Sequence, residues 1–245
     1  MGAILPKGRL TNNFGDLIGP EVVRTLVGNA TRSRPGDRRL LAVGSILHFA
    51  EDDDVVWGSG INGKIPLSQI RAIRLDVRAV RGPLTADVLR KRGVAVPDVF
   101  GDPALLYPAL NDIKRATPTR PLTIVPNLHD EETWRHRAEA LSPRLPIREV
   151  VATIAQSEFV AASSLHGLVI ADALGVPASM LQPSKEDLFK YQDYYEGTGR
   201  RMPKVCATIA ETLDQPADLL RWSPTSLIDA FPHDLWVEGS LPSGT

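Results

Sequence analysis

Cysteine, aromatic residues and a surplus of charge of one sign are all scarce in this sequence of 245 residues. Its one cysteine, Cys206, has no second cysteine with which to form an internal disulfide. Lysine and arginine number 28 and the acidic residues 29, so the formal net charge is -1 and no overall field attracts nucleic acid or an anionic membrane. Any anion-binding site must therefore be local.

Long apolar runs are also missing. No segment approaches the ~18 consecutive apolar residues of a membrane-spanning helix, and residues 1–7 lack the basic region and long apolar core of a signal peptide. These absences predict a cytoplasmic protein that would meet a membrane-borne substrate only peripherally, at the inner face of the membrane. With 43% apolar residues the chain can build a core, and its length fits one large domain or two of about 120 residues.

What is present is a rhythm of short apolar runs and longer amphipathic stretches, which is typical of an α/β protein with a largely parallel sheet. Buried strands are predicted at 39–46, 54–57, 70–75, 122–125, 158–162 and 176–181. Helices are predicted at 17–26, 84–92, 131–141, 150–155, 168–174 and 225–231, the last followed by a poorly ordered end. A polar stretch at 111–120 marks a boundary between domains 1–118 and 119–245.

The strongest candidate site follows the strand predicted at 158–162. Ser163, Ser164, His166 and Gly167 come where this strand ends and a helix begins, the place at which open α/β sheets bind ligands. Backbone amides at the helix start favour an anion such as phosphate, and an imidazole with a pKa near ~6.5 can exchange a proton at cytoplasmic pH. From the loop alone, a capping turn with a hydrogen-bonded structural histidine is an equally good interpretation.

A second candidate is the segment Arg81-Gly82-Pro83, in which an arginine ends a strand and a proline opens a helix. A guanidinium in such a place fits a carboxylate or phosphate bidentately. The alternative is an arginine solvated at the edge of the sheet, and the residues alone favour it.

Several polar residues lie in turns after other predicted strands or before helices. Asn13 and Asp16 fit either a sugar hydroxyl or an ordinary helix cap, and Asp102 fits either a ligand or a cap. Ser45 and Ser59 lie in glycine turns that lack the spacing of a Walker loop or a dinucleotide fingerprint, so no nucleotide can be assigned.

The segment from Lys190 to Glu196 combines a cation, a carboxylate and aromatic rings. Lys190, Tyr191 and Asp193 suit a sugar that stacks on a ring beside a charged group, but an amphipathic segment between domains is equally consistent. The acids at 52–54 are interpreted as a solvated turn. The histidines and the cysteine have no zinc spacing, so no required metal is predicted.

Taken in order over residues 12–197, these motifs resemble the polysaccharide pyruvyl transferase family. The segments that carry the resemblance are Asn13-Phe14-Gly15-Asp16, Gly44-Ser45-Ile46-Leu47, Trp57-Gly58-Ser59-Gly60, Arg81-Gly82-Pro83, Gly101-Asp102-Pro103-Ala104 and Ser164-Leu165-His166-Gly167. The segment that starts at Lys190 is similar to the lysine-aromatic-aspartate segment of bacterial exopolysaccharide ketalases.

The resemblance implies two Rossmann-like doubly wound domains in a GT-B-like arrangement, with the acceptor on the N-terminal side and the donor on the C-terminal side. It implies transfer of a pyruvyl group from phosphoenolpyruvate, as co-substrate, to a sugar of a polysaccharide or of its lipid-diphosphate-linked precursor. The product is a cyclic ketal, and phosphate is released. No nucleic acid partner and no further cofactor are expected.

The resemblance also distributes roles over the candidate residues. It places His166 and Arg81 at the donor site as catalytic residues. For the base that activates the acceptor, the chemistry requires a carboxylate such as Asp16 or Asp102, and the sequence does not choose between these two. The predicted donor-binding residues are Arg81, Ser163, Ser164, His166, Gly167 and Lys190. The predicted acceptor-binding residues are Asn13, Asp16, Ser45, Ser59, Asp102, Tyr191 and Asp193.

One departure from the family pattern matters. Many relatives have an arginine where this chain has Ser164, so one cation for the donor is missing, and Lys190 or Arg78 would have to replace it. Two alternative functions follow: a nucleotide-sugar glycosyltransferase, because the same crevice suits a diphosphate leaving group, and a catalytically inactive saccharide-binding or scaffold protein.

Overall fold

The computed structural model describes residues 13–32, 38–215 and 218–237. They form an α/β fold around two parallel sheets of three strands each. In the first sheet the order is β2 (Leu40–Leu41), β3 (Val55–Trp57) and β4 (Asp76–Ala79), and in the second it is β5 (Arg120–Val125), β6 (Ser157–Ala162) and β7 (Ala178–Met180). A small antiparallel pair joins β1 (Thr31–Arg32) to β8 (Trp236–Val237) near the two ends of the described chain.

The helices of these residues are α1 (Phe14–Val27), α2 (Pro83–Lys91), α3 (Tyr107–Leu110), α4 (Glu131–Trp134), α5 (Ile147–Ala155), α6 (Leu165–Leu174), α7 (Phe189–Gly197), α8 (Ile209–Leu213) and α9 (Thr225–Asp229). Short 3-10 turns lie at Leu47–Phe49, Leu67–Gln69, Pro103–Leu106 and His233–Leu235. Among the described helices, none is long and apolar enough to cross a bilayer.

Capping residues explain where the best-predicted helices begin. Helix α1 starts three residues before the predicted 17–26, because Asn13 and Asp16 form a reciprocal capping box. Helix α2 starts at Pro83, as the preference of proline for the first turn predicts. Ser164 caps α6, so the helix begins at Leu165 rather than at 168 and takes His166 into its first turn.

The strand predicted at 70–75 does not form. The carboxylate of Asp52 accepts the backbone N–H groups of Ile73 and Arg74 at 2.9 and 3.0 Å, so these groups are not available to a strand ladder. The strand that pairs with β3 is β4, which starts at Asp76, one residue after the end of the predicted segment. Asp52 and Asp53 are exposed, as the predicted solvated turn requires, but Asp54 is buried and pairs with Arg39 at 2.6 Å, so the prediction is wrong for the third acid.

Two further elements are shorter than predicted. The helix predicted at 131–141 ends at Trp134, because 139–141 run alongside β5: Ile124 N–H donates to the carbonyl of Glu139, and Leu141 N–H donates to that of Ile124, both at 2.9 Å. The strand predicted at 39–46 is reduced to β2, which is followed by a turn.

The two sheets share their largest apolar core. Its buried members come from the first sheet, as Trp57 and Ala79 do, and from the second, as Val160 and Met180 do. The boundary at residues 118 and 119 lies between α3 and β5 and stays a prediction. The end after residue 231, predicted to be poorly ordered, is regular as far as 237, where it forms the 3-10 turn at His233–Leu235 and β8. Its remainder, 238–245, lies outside the described residues, and so do residues 1–7, on which the predicted absence of a signal peptide rests.

Candidate active site

His166 lies in the first turn of α6, at the carboxyl end of β6, and its side chain is 13% exposed. The imidazole packs directly on α1. A methyl group on Gly15 would lie 2.1 Å from His166 Nδ1, so only glycine allows this approach. The first turn of α1, which carries Asp16, and the first turn of α6 are therefore neighbours.

Asp102 faces the other nitrogen of the same ring. Its Oδ2 lies 3.7 Å from His166 Nε2, beyond hydrogen-bond distance, and Asp102 is fully buried. Both atoms are buried without a hydrogen-bond partner in the described part of the chain. The other carboxylate oxygen, Oδ1, accepts the N–H of Ala104 at 2.9 Å and caps the 3-10 turn that follows. The cap interpretation of Asp102 is thus confirmed.

Four charged side chains, each from a different segment, act on His166: Asp16, Asp102, Lys190 and Arg81. Burial lowers the pKa of His166 below 6.5, and the two carboxylates oppose this shift while the two cations reinforce it. Burial raises the pKa of Asp16, and the nearby charge of His166 opposes this shift. The predicted catalytic residues Asp16 and Arg81 are therefore both near enough to His166 to affect its charge.

Arg81 is fully buried, and each of its three guanidinium nitrogens donates to protein. Nη1 bonds Ser45 Oγ at 2.6 Å, Nη2 bonds the carbonyl of Ile61 at 2.7 Å, and Nε bonds Asp193 Oδ2 at 3.1 Å. A side chain at Gly60 would collide with the guanidinium. Arg81 is therefore not the edge arginine of the alternative interpretation. Its direct contact with a donor stays a prediction.

Asp193 joins α7 to the start of α2. Its carboxylate pairs with Arg81 and accepts both the N–H and the hydroxyl of Thr85, at 2.9 and 2.7 Å. The backbones touch as well: a methyl group on Gly82 would lie 1.8 Å from the carbonyl oxygen of Asp193, and one on Gly197 would lie 2.1 Å from that of Arg81.

We call the first sheet with its helices the first half of the protein and the second sheet with its helices the second half. Two tyrosines of α7 bond to the second half. Tyr191 is buried and donates to the carbonyl of Ser163 at 2.5 Å, and Tyr194 donates to Asp172 at 2.7 Å. The structure thus places Tyr191 and Asp193 in a segment packed between the two halves, as the alternative interpretation held. Their binding of a sugar stays a prediction.

Other predicted binding residues have partners within the protein. Ser163 donates to Asp130 at 2.6 Å, and Ser59 donates to the carbonyl of Gly44 at 2.9 Å; both serines are fully buried. Ser164 Oγ accepts the N–H of Gly167 at 3.2 Å, so that amide is already used by the cap. These bonds describe structural roles in the unliganded protein, and the binding roles of these residues stay predictions.

The predicted donor-binding residue Lys190, which acts on His166, belongs to a cationic group whose members Glu186 and Lys64 were not predicted from the sequence. Glu186 binds the Nζ of Lys190 at 2.6 Å and that of Lys64 at 2.7 Å, and His129 Nε2 lies 3.7 Å from it. We call these four residues the Glu186 cluster. Burial would raise the pKa of Glu186, but its two lysines outweigh burial and leave this pKa lowered, while burial lowers the pKa of Lys190.

The Glu186 cluster holds two ammonium groups against one carboxylate, so it carries positive charge. Its members come from the segments after β3, β5 and β7 and from α7. The i, i+4 spacing of Glu186 and Lys190 was a readable signal for their pairing. Lys64 lies in the turn after the Trp57-Gly58-Ser59-Gly60 segment and carried no such signal.

A surface groove of about 730 Å³ lies elsewhere and contains none of the predicted site residues. Residues that line it include Glu51 and Asp52, which precede β3. This groove therefore opens at the amino end of β3, whereas His166 and the Glu186 cluster lie after the carboxyl ends of strands, where α/β sheets bind their ligands.

Parallel sheets with a charged site at the carboxyl ends of their strands define an α/β protein of Rossmann-like type. The chain belongs to the polysaccharide pyruvyl transferase family, whose model matches residues 18–184. The family name denotes a transferase.

A curated relative, the succinoglycan biosynthesis protein ExoV of Rhizobium meliloti (strain 1021), is 31% identical over 183 residues, which cover 67% of this chain and 56% of the relative. The chain thus spans little more than half the length of that relative. A crystal structure of a functionally uncharacterised protein from Klebsiella pneumoniae aligns with a TM-score of 0.52 at 14% identity, covering 79% of this chain and 88% of the other. At that identity the likeness shows a shared fold.

Proposed function

We propose that this protein transfers a pyruvyl group from phosphoenolpyruvate to a sugar of an exopolysaccharide or its lipid-diphosphate-linked precursor, forming a cyclic ketal. The observation that carries this proposal is the setting of His166. It is a buried imidazole between two carboxylates with cations beside it, in a chain of this family. A proton donor next to an anion site is what the chemistry of an enol phosphate requires.

The reaction uses two hydroxyls of one sugar. Protonated His166 gives its proton to the methylene carbon of phosphoenolpyruvate, which becomes a methyl group, and the first hydroxyl adds to C2. Asp16 accepts the proton that this hydroxyl loses. The C–O bond to phosphate then breaks and phosphate leaves with the bonding electrons. The second hydroxyl closes the ketal at C2 and gives its proton to His166, which restores the acid, while the proton on Asp16 leaves with the released phosphate.

The Glu186 cluster supports an assignment of donor binding to Lys190. Of the cations that act on His166, Arg81 has all three nitrogens bonded to protein, whereas Lys190 pairs with a carboxylate that it shares with Lys64. A phosphate or carboxylate that enters here gains a charge-assisted contact with Lys190. Lys190 then supplies the cation that is missing at Ser164. Arg81 supports the site from within the protein, through its bonds to Ser45, Ile61 and Asp193.

The proposal extends to architecture and location. The two sheets form the two Rossmann-like halves of a GT-B-like arrangement, and α7 crosses from the second half to the first. The reaction takes place in the cytoplasm, peripherally at the inner membrane face when the acceptor is lipid-linked. It uses phosphoenolpyruvate as co-substrate and needs no metal or organic cofactor.

The test incubates the purified chain with phosphoenolpyruvate and a panel of galactosides, glucosides and mannosides, including lipid-diphosphate-linked forms. Phosphate release and product mass are followed together. We expect the product to gain one pyruvyl unit less water, and His166→Gln to lower turnover by about 10²–10⁴-fold. Binding of a sugar nucleotide without binding of phosphoenolpyruvate would instead select a glycosyltransferase.

The variant Lys190→Met tests whether Lys190 binds the donor or only stabilises the fold. We expect weaker phosphoenolpyruvate binding at unchanged secondary structure. Lys114→Met is the matched control, since Lys114 is an exposed lysine that pairs only with Asp112 among the described residues. Equal donor affinity in Lys190→Met and Lys114→Met would contradict the assignment of Lys190.

A further inference from the structure

We propose that Asp102 is a positioning residue for His166: its carboxylate holds the hydrogen of Nε2 and leaves Nδ1 as the nitrogen that transfers the proton. The proposed function gives this pair its purpose. The pairing itself can be tested without any substrate.

Two buried polar atoms face each other without a hydrogen bond. Asp102 Oδ2 and His166 Nε2 are both buried, have no hydrogen-bond partner within the described chain, and lie 3.7 Å apart. A buried donor or acceptor without a partner destabilises the folded state. A closure of about 0.8 Å would bring the two atoms to hydrogen-bond distance and satisfy both. Catalytic hydrogen bonds are often this long in unliganded proteins and tighten when substrate binds.

Both partners are anchored by their backbones. Asp102 Oδ1 is held by the N–H of Ala104, and Pro103 packs so closely on Gly58 that a methyl group there would lie 2.3 Å from the proline ring. The backbone of His166 is held by the start of α6, and its ring packs on Gly15. The carboxylate and the backbone of His166 therefore stay in place, and only a small movement of the ring itself is needed to close the gap.

The two ring nitrogens of His166 have different surroundings. In a neutral imidazole one nitrogen carries the hydrogen and the other accepts, and the hydrogen-bond partner decides which. A carboxylate oxygen accepts, so Asp102 favours the hydrogen on Nε2. Nδ1 then has the lone pair that binds and releases the transferable proton. This nitrogen lies against the first turn of α1, which carries Asp16.

The experiment is nitrogen NMR of the unliganded chain labelled with ¹⁵N-histidine, with the signals of His166 identified by their loss in His166→Gln. We expect neutral His166 to carry its hydrogen on Nε2. Asp102→Asn keeps the oxygen that caps Ala104 but turns an amide donor towards His166, so we expect the hydrogen to move to Nδ1. Asp102→Asn should also lower the pKa of His166, since Asp102 supports the protonated form.

Asp16→Asn is the matched control, because it removes a carboxylate near His166 that does not face Nε2. It should lower the pKa of His166 and leave the hydrogen on Nε2. Hydrogen on Nδ1 in the wild-type chain, or the same tautomer in wild type and Asp102→Asn, would overturn the proposal. Near-UV circular dichroism verifies that each variant is folded.

Activity supplies a separate readout. Asp102→Asn should lower kcat by about 10²-fold or more with little change in the KM for phosphoenolpyruvate, because orientation and proton transfer are affected rather than donor binding. If no acceptor supports turnover while the tautomer changes as expected, the proposed function fails and the pairing stands. If turnover occurs and the tautomer does not change, the pairing fails alone.

Discussion

At the scale of the residue, the setting of His166 determines how protonation and donor binding depend on each other. Burial lowers the pKa of this imidazole below 6.5, so at about pH 7 the unliganded ring is mostly neutral. A general acid must be protonated, so the competent fraction of free protein falls as the pH rises through this lowered pKa. An anionic donor placed beside the ring raises the pKa again.

We therefore predict that phosphoenolpyruvate binding takes up protons at about pH 7. Calorimetry in two buffers of different ionisation enthalpy measures this uptake. His166→Gln should bind the donor with less uptake, since the glutamine amide does not titrate. Donor binding by the wild-type chain without proton uptake would contradict the prediction.

Single residues also show what sequence could reveal about this site. His166 and Asp16 were identified because each lies at the start of a helix, and such positions can be recognised from local patterns. The partner of Arg81 could not be found this way, because Asp193 lies 112 residues away. Nothing in the local sequence of either residue indicates that the two charges neutralise each other in the interior.

At the scale of the element, α7 links the two halves, and its glycine makes that possible. A methyl group on Gly197 would lie 2.1 Å from the backbone oxygen of Arg81. Because the clashing atom belongs to the backbone, no change of side-chain rotamer relieves this clash. We predict that Gly197→Ala lowers the free energy of unfolding by about 3 kcal/mol, the upper end of the usual cost of overpacking. Urea unfolding measures this loss.

Gln192→Ala is the control in the same helix, since Gln192 is exposed and its side chain bonds only Glu196 among the described residues. Its effect should be within about 0.5 kcal/mol of wild type. If Gly197→Ala were as stable as Gln192→Ala, α7 would not be packed against the segment that contains Arg81.

Elements were predictable where the local pattern decides and less so where distant groups compete. The helices α1 and α2 follow from their caps, because a cap lies within one turn of the residues that it stabilises. The predicted strand at 70–75 is rich in apolar residues, yet the carboxylate of Asp52 accepts the N–H groups of Ile73 and Arg74. An apolar run indicates which side chains can be buried, but it does not indicate what the backbone binds.

At the scale of the whole molecule, residues from the end of the described chain complete the first half. Trp57 on β3 is fully buried, donates its indole N–H to the carbonyl of Leu227 at 2.7 Å and meets Phe231 edge to face. The pairing of β1 with β8 and the ion pair of Arg81 with Asp193 cross between the same parts. The boundary predicted at residues 118 and 119 therefore separates two sheets that share one core.

This sharing predicts that the chain unfolds in one cooperative transition. Tryptophan fluorescence, which reports on the surroundings of all four tryptophans, Trp57 among them, and far-UV circular dichroism, which reports on all helices, should give coincident denaturation curves. Two separated transitions would show that the halves are independent folding units. A chain divided into 1–118 and 119–245 gives a stricter test of the same idea.

In the fragment 1–118, Trp57 loses Leu227 and Phe231, and the buried Arg81 loses Asp193. An uncompensated buried charge alone costs about 3–5 kcal/mol, which is a large part of the ~5–15 kcal/mol that stabilises a typical folded protein. We predict that this fragment remains unfolded by circular dichroism, and that mixing it with 119–245 restores a folded complex. A fragment 1–118 that folds alone would mean that the first half exchanges these partners for others of its own.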